Sequence, residues 1–267
     1  MKKISFKVIT LFPDLIQTYL QDALLAKAMA SDIIHVQTVD LRNFSQKKYN
    51  SVDDTVFGGG DGMLLQYRPL QLALESIPVS GDGTKRRKVV YLSPQGTRWS
   101  ADLAKEFSAL DEVILICGRY AGIDQRFLHQ YVDAEITLGD FVLSGGELAA
   151  LAVIESVSRY IPDVLGHNLS AAQDSFEDGL LEAPQFTKPQ IENGFEVPAV
   201  LLSGNHLKIS EWRKNCSILI TLKKRPDLIA KQQKKIKWTE VKQFYADMSM
   251  RDKEILNLED MEFPDET

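Results

Sequence analysis

The chain is short of several features that commit a protein to a class. It has two cysteines in 267 residues, Cys117 and Cys216, which match no metal-binding or redox spacing, so a reducing, cytoplasmic setting is the simplest expectation. No uninterrupted apolar run is long enough to cross a bilayer. The opening Met-Lys-Lys-Ile-Ser-Phe-Lys-Val-Ile-Thr-Leu-Phe has the charge pattern of a leader, but Lys7 interrupts the apolar run and Pro13-Asp14 ends it early. A first strand is expected there instead. The Gly-Lys-Ser/Thr ending of a phosphate loop is missing, and no Gly-x-Gly-x-x-Gly follows a strand, which argues against the common nucleotide-binding fingerprints. At 44% hydrophobic and 25% charged, the composition is that of an ordinary globular chain of one large or two smaller domains.

Acid exceeds base overall, for a net charge of −6, yet the distribution is uneven. Ten Lys or Arg residues lie between Asn205 and Lys237 against two acids, Glu211 and Asp227, a local balance of +8 in a chain whose remainder carries −14. Such a block reads either as a polyanion-binding face or as a solvated helix surface.

Three stretches carry the chemical signal. Thr137 to Tyr160 reads as a loop, the pair Gly145-Gly146, and then a helix of about a dozen residues, with Leu148, Leu151, Ile154 and Val157 at helical spacing. Lys88 to Leu92 is a β-rich run that should stop at Ser93-Pro94-Gln95-Gly96, and Glu112 to Cys117 is another that should stop at Gly118-Arg-Tyr-Ala-Gly122. Each glycine turn alone is explained by packing. Three of them at the ends of buried strands point to one pocket, because open α/β sheets bind ligands beyond the carboxyl ends of their strands.

Around these, strands are expected at 4–11 and 33–39, and a helix from Pro13-Asp14 to about Ala30. A polar loop is expected over 41–50, and shorter helices over 69–75, 100–110 (capped by Ser100) and 124–130. The glycine-rich run from Asp53 to Met63 reads equally as a flexible loop or a ligand lid, and 81–88 as a basic surface turn. The alternation implies an α/β domain with a largely parallel sheet over 1–161, an interdomain linker over 162–181 and a second domain over 182–267. In the second domain an amphipathic helix should begin at Asn205 with Ile209, Trp212, Cys216 and Leu219 or Ile220 on one side. A Lys-rich helix around 231–237 should follow, and an acidic tail from Glu254 should fray.

Taken together, Tyr-Leu-Ser-Pro-Gln-Gly at 91–96, Cys-Gly-Arg-Tyr-x-Gly-Ile-Asp at 117–124, Gly-Asp-Phe-Val-Leu-Ser-Gly-Gly-Glu-Leu at 139–148, Asp-Ser-Phe at 174–176 and Leu-Leu-Ser-Gly-Asn-His at 201–206 resemble the bacterial tRNA (guanine-N1)-methyltransferases, the TrmD-type enzymes of the SPOUT class. The resemblance covers nearly the whole chain, in order. It implies a SPOUT-type, trefoil-knotted α/β domain with a largely parallel sheet and a small, mostly helical, tRNA-binding C-terminal domain. It also implies a homodimer with shared active sites, no membrane association, and methyl transfer from S-adenosylmethionine to N1 of guanosine 37, just 3′ of the anticodon.

By the same resemblance, the co-substrate would be held by Tyr91, Leu92, Ser93 and Pro94, by Gly118, Tyr120 and Gly122, and by Thr137, Leu138, Gly139, Asp140, Phe141, Val142, Leu143, Gly145 and Gly146. Asp174 would be the general base and Arg159 the partner of guanine O6. Ala121 and Gln173 stand where this family usually has glutamates, which argues against magnesium assistance here, since that ion needs oxygen ligands. Phe141 for Tyr and Ala149 for Pro are milder departures. Rival readings are a tRNA- or cofactor-binding relative with weakened catalysis, motivated by Ala121 and Gln173, and a nucleotide-dependent oxidoreductase, motivated only by glycine loops.

Overall fold

The computed structural model describes residues 3–21, 23–59, 62–78, 86–165 and 174–264. Most of the expected 81–88 turn, the Gly60-Asp61 tip and Gln173 lie outside them. The chain divides into two compact units, 1–168 and 169–267, a division that falls inside the 162–181 stretch.

The first unit opens with β1 (Ile4–Thr10), α1 (Pro13–Leu20), α2 (Ala23–Ala30) and β2 (Ile34–Asp40), followed by short 3-10 turns at Leu41–Phe44 and Lys48–Asn50. It continues through β3 (Asp53–Thr55), β4 (Met63–Leu65), α3 (Tyr67–Glu75), β5 (Arg87–Arg98), α4 (Ala101–Ser108), β6 (Glu112–Cys117), α5 (Gln125–Tyr131), β7 (Ala134–Thr137) and α6 (Glu147–Ser158). Five strands form one all-parallel sheet in the order β2-β1-β6-β5-β7. All six residues of β6 are buried, as a central parallel strand covered on both faces must be. Its side chains alternate between two cores: Val113, Leu115 and Cys117 join the α1, α2, α4 and α6 side, and Ile114 and Ile116 join the α3 and α5 side.

Four local expectations are corrected. The helix expected through Ala30 is two helices, and the break lets Ile16 and Leu20 of α1 and Leu25 and Ala28 of α2 all reach one core. The 41–50 stretch contains 3-10 turns, the first capped by the Asp40 carboxylate, which accepts from the Arg42 N–H. β5 does not end at Leu92. It bulges through Ser93–Gly96 and resumes beside β7, so that Leu92 and Thr97 both pair with Ile136. Gly96 makes this feasible, since a β-carbon there would lie 2.3 Å from the Ile136 nitrogen. On α6, Leu151, Ile154 and Val157 are buried as the spacing predicts, but Leu148 is 56% exposed.

The second unit contains the small hairpin β8 (Ile191–Glu192) and β9 (Phe195–Glu196), then α7 (Ala199–Leu202), α8 (His206–Lys224), α9 (Pro226–Gln232), α10 (Trp238–Asp247) and α11 (Met250–Ile255). Asn205 caps α8 by accepting from the Leu207 and Lys208 N–H groups. Its apolar side buries Trp212, Cys216, Leu219 and Ile220, with Ile209 partly covered. The Lys-rich stretch is not one helix: α9 ends at Gln232, a 3-10 turn spans Gln233–Lys235, and the chain then turns to bury Trp238. Nor does the tail fray at Glu254. Leu256 and Leu258 are buried, and Phe263 packs against the rings of Trp238 and Tyr245. A few apolar side chains in an acidic stretch are enough to dock it.

Candidate active site

The carboxyl ends of β6 and β7 and the Ser93–Gly96 bulge within β5 meet in the first unit around a cavity of about 460 Å³, within the usual range for small-molecule sites. Each strand contributes a loop. From β5 come Tyr91, Leu92, Ser93 and Pro94, and from β6 Gly118, Tyr120 and Gly122. From the β7–α6 connection come Thr137, Leu138, Phe141, Val142, Leu143, Gly145 and Gly146. Of the residues assigned to the donor from sequence, Gly139 and Asp140 are not among those lining the cavity, although both belong to the loop that frames it.

The loops are tied together by backbone bonds. The Gly146 N–H donates to the Gly118 carbonyl at 3.1 Å, and Arg119 bridges Gly145. Thr137 donates from Oγ1 to the Gly139 carbonyl at 2.9 Å, closing the start of the third loop. Gly146 cannot carry a side chain here, because a β-carbon would lie 2.8 Å from Cys117 Cα. Gly118 packs as closely on another neighbour, with 2.7 Å from a β-carbon to the Tyr91 hydroxyl. These small residues let the main chain approach the cavity closely.

Burial, with Glu135 adding to it, pushes the Tyr91 phenol up to about 12, so it stays a neutral hydroxyl at physiological pH. The Cys117 thiol is pushed well above its usual value by burial, then by the Glu147 carboxylate, and so is not a nucleophile.

Several lining residues escaped the sequence reading. The hairpin of β3 and β4 is docked on the rim: Leu64 lines the cavity, and the Leu65 N–H donates to the Gly122 carbonyl at 3.0 Å. The Asp53–Met63 run is therefore a hairpin whose base is fixed, and no local pattern signalled that pairing. Glu135 and Arg119 also line the cavity. The alternating pattern of β7 could have found Glu135, on the same register as Tyr91. Ala121 lines the cavity too, leaving Glu135 as the only carboxylate among the described lining residues, and among the described residues no cluster of three or more His, Cys, Asp or Glu side chains gathers. Glu135 alone is a poor magnesium site.

Neither of the two residues assigned to catalysis is among the residues that line this cavity. Arg159 is the C-cap of α6, whose N-terminus meets the cavity, so about 18 Å of helix separates it from Gly146. Asp174 belongs to the second unit, where it is half-buried and lines a broad groove with His206, Arg213, Lys214, Lys235 and Lys237. All ten basic residues of the 205–237 block are exposed. Arg225 is paired with Asp227 and Lys237 with Glu240, which makes part of the block self-neutralising.

Comparison with known proteins identifies the family. A family model described as tRNA (Guanine-1)-methyltransferase TrmD matches residues 4–231. A tRNA (guanine-N(1)-)-methyltransferase of Hahella chejuensis is 48% identical over 234 residues, covering 86% of this chain and 89% of that one. One from Treponema denticola is 46% identical over 234 residues, covering 88% and 94%. Another, from Latilactobacillus sakei, is 43% identical over 246 residues, covering 90% and 98%.

Proposed function

The chain belongs to the tRNA (guanine-1)-methyltransferase TrmD family, and we propose that it methylates N1 of guanosine 37 in tRNA, using S-adenosylmethionine bound in the cavity of the first unit. The observation that carries the reading is the convergence of the β5 bulge with the small-residue loops that follow β6 and β7. The cavity has the size and the close backbone approach that a nucleoside joined to an amino acid requires. Main-chain groups of the 137–146 and 118–122 loops would hold the polar edges of the adenine and the amino acid, with Leu138, Phe141 and Leu143 against the apolar faces. When bound, the donor supplies a sulfonium methyl group.

The rest of the chemistry belongs to the protein and the RNA. Guanine N1 carries a proton and is a poor nucleophile, so a base must take it as the methyl arrives. Asp174 is assigned that role, a positioned base being worth about 10²–10⁴-fold. Charge then builds on O6, and Arg159 is assigned to stabilise it. Asp174 shares its groove with four cations and His206, which suits an acid that must meet a phosphate-bearing substrate. The exposed block on α8 and beyond would grip the anticodon arm.

The length of α6 argues that Arg159 serves the cavity of a second copy. So does the apolar surface left open near the cavity: Phe12, Val142 and Leu143 line a neighbouring hollow of about 430 Å³, with Val142 82% exposed. A homodimer with shared sites, and a trefoil-knotted arrangement of the cavity loops, complete the reading. Among the described residues no helix is long and apolar enough to cross a membrane, and a cytoplasmic site of action follows from the substrate. No step is routed through a metal, because the described lining residues offer one carboxylate.

The test is transfer from labelled S-adenosylmethionine to prefolded tRNA transcripts with guanosine or adenosine 3′ of the anticodon. N1-methylguanosine from the first alone is expected. Label in both, or a different methylated base, would overturn the assignment.

A further inference from the structure

Arg119 and Glu147 join the ends of β1 and β6 to the start of α6. Glu147, the first residue of α6, is a carboxylate only 2% exposed, and burying it without partners would be costly. Thr10, the last residue of β1, donates from Oγ1 to Glu147 Oε1 at 2.8 Å. The same hydroxyl accepts from the Phe12 N–H at 2.9 Å. On the other side, Arg119 Nη2 lies 3.5 Å from Glu147 Oε2. The Arg119 guanidinium also sits 4.2 Å from the Phe12 ring centroid, within cation–π range. Gly145 leaves the space for this pair: a β-carbon there would lie 2.4 Å from both Arg119 Nε and Glu147 Oε2.

The connection has a direction. Arg119 and Gly145 line the cavity, whereas Thr10, Phe12 and Glu147 do not. The network thus reaches the cavity wall from behind, pinning the 118–122 loop to the glycine pair. The hydrogen bond from Gly146 to Gly118 and the bridge between Arg119 and Gly145 join the same two loops through the backbone. The ion pair adds a buried side-chain tie behind them. Arg119 Nε is buried and finds no hydrogen-bond partner among the described residues, so the guanidinium is held by its stack and by one end of its fork.

We propose that Arg119, acting through Glu147 and the Phe12 ring, is a positioning residue that sets the spacing of the two cavity loops for the methyl donor. This rests on the reading of the cavity as the donor site. Its consequence is specific: loss of the pair loosens the donor site, while RNA binding by the second unit is untouched. Lysine does not replace Arg119, since a point charge on a flexible stem cannot stack on Phe12 and meet Glu147 together. Nor does glutamine replace Glu147, although it still accepts from Thr10.

Calorimetry with S-adenosylmethionine, alongside tRNA binding and thermal melts, tests this on the full chain. The wild type should bind the donor, and failure to do so would remove the donor-site reading and this inference with it. Given wild-type binding, R119A and E147Q should each weaken the donor by about ten-fold with tRNA affinity close to wild type, the melts serving to show that each variant is folded at the assay temperature even though R119A leaves the Glu147 carboxylate without its cation. The double variant should be no weaker than R119A, because the two residues act as a unit. Should R119A not fold, R119K and R119K/E147Q carry the same comparison. Wild-type donor affinity in E147Q, additive losses in the double variant, or equal loss of donor and tRNA binding would each overturn the proposal.

Discussion

Gly146 and Arg159 flank a single helix, α6, the first packed against the backbone of Cys117 at the cavity and the second capping the far end. If both serve one reaction, two copies must supply them. Mixing a cavity-defective protomer, Gly146→Ala, with an Arg159→Ala protomer should then restore activity that neither has alone. Random pairing makes half of the dimers mixed with one intact site each, so about a quarter of wild-type turnover is expected. No recovery after mixing and re-equilibration would argue for sites built within one chain.

Tyr91 provides a pH signature. Its folded pKa, about 12, lies above the ordinary 10.0 because of burial, and Glu135 adds to the shift. The folded state therefore holds this proton more tightly than the unfolded one. The stability it contributes is complete below pH 10 and is lost as pH rises from 10 toward 12. Denaturant melts across that window should show a falling stability in the wild type and a shallower fall in Tyr91→Phe. Equal slopes would mean the hydroxyl is hydrated.

The two thiols report on the two units separately. Cys117 is pushed well above its usual value and Cys216 to about 12, in both cases mainly by burial. A disulfide reagent at neutral pH should label neither in the native protein and both after unfolding. Fast labelling of either thiol without denaturant would contradict the burial that this packing describes.

Residues beyond Ile255 should matter to stability. Leu258 is fully buried, and the Tyr245 hydroxyl donates to the Leu258 and Glu259 carbonyls at 2.8 and 2.9 Å. Leu258→Ala should cost about 2–5 kcal/mol of unfolding free energy. A change within a few tenths would return the tail to the frayed state expected from its charge.

What could be read from the sequence was what neighbouring residues decide. The Ser100 and Asn205 caps, the uninterrupted apolar run of β6 and the start of α6 after the glycine pair all follow from local chemistry. The cavity segments were legible because glycine turns follow β6 and β7 and interrupt β5. Resumption of β5 after its bulge was not, since the pairing of Thr97 with Ile136 depends on a strand about forty residues away. The same holds for the docking of the β3–β4 hairpin and for Arg119 with Glu147, which are twenty-eight positions apart in the chain and face each other only once β1, β6 and α6 are assembled. Leu148 shows the limit of periodicity. It keeps the helical spacing and yet faces outward, because spacing says which residues share a face and not what covers that face.

The most direct test of the account is single-turnover methyl transfer by Asp174→Ala, with S-adenosylmethionine and tRNA affinities measured on the same preparation. The proposed donor cavity lies in the first unit and Asp174 in the second, so binding and transfer should separate. The account predicts a rate about 10²–10⁴-fold below wild type with both affinities unchanged. A wild-type rate, or a loss of donor binding equal to the loss of rate, would contradict it.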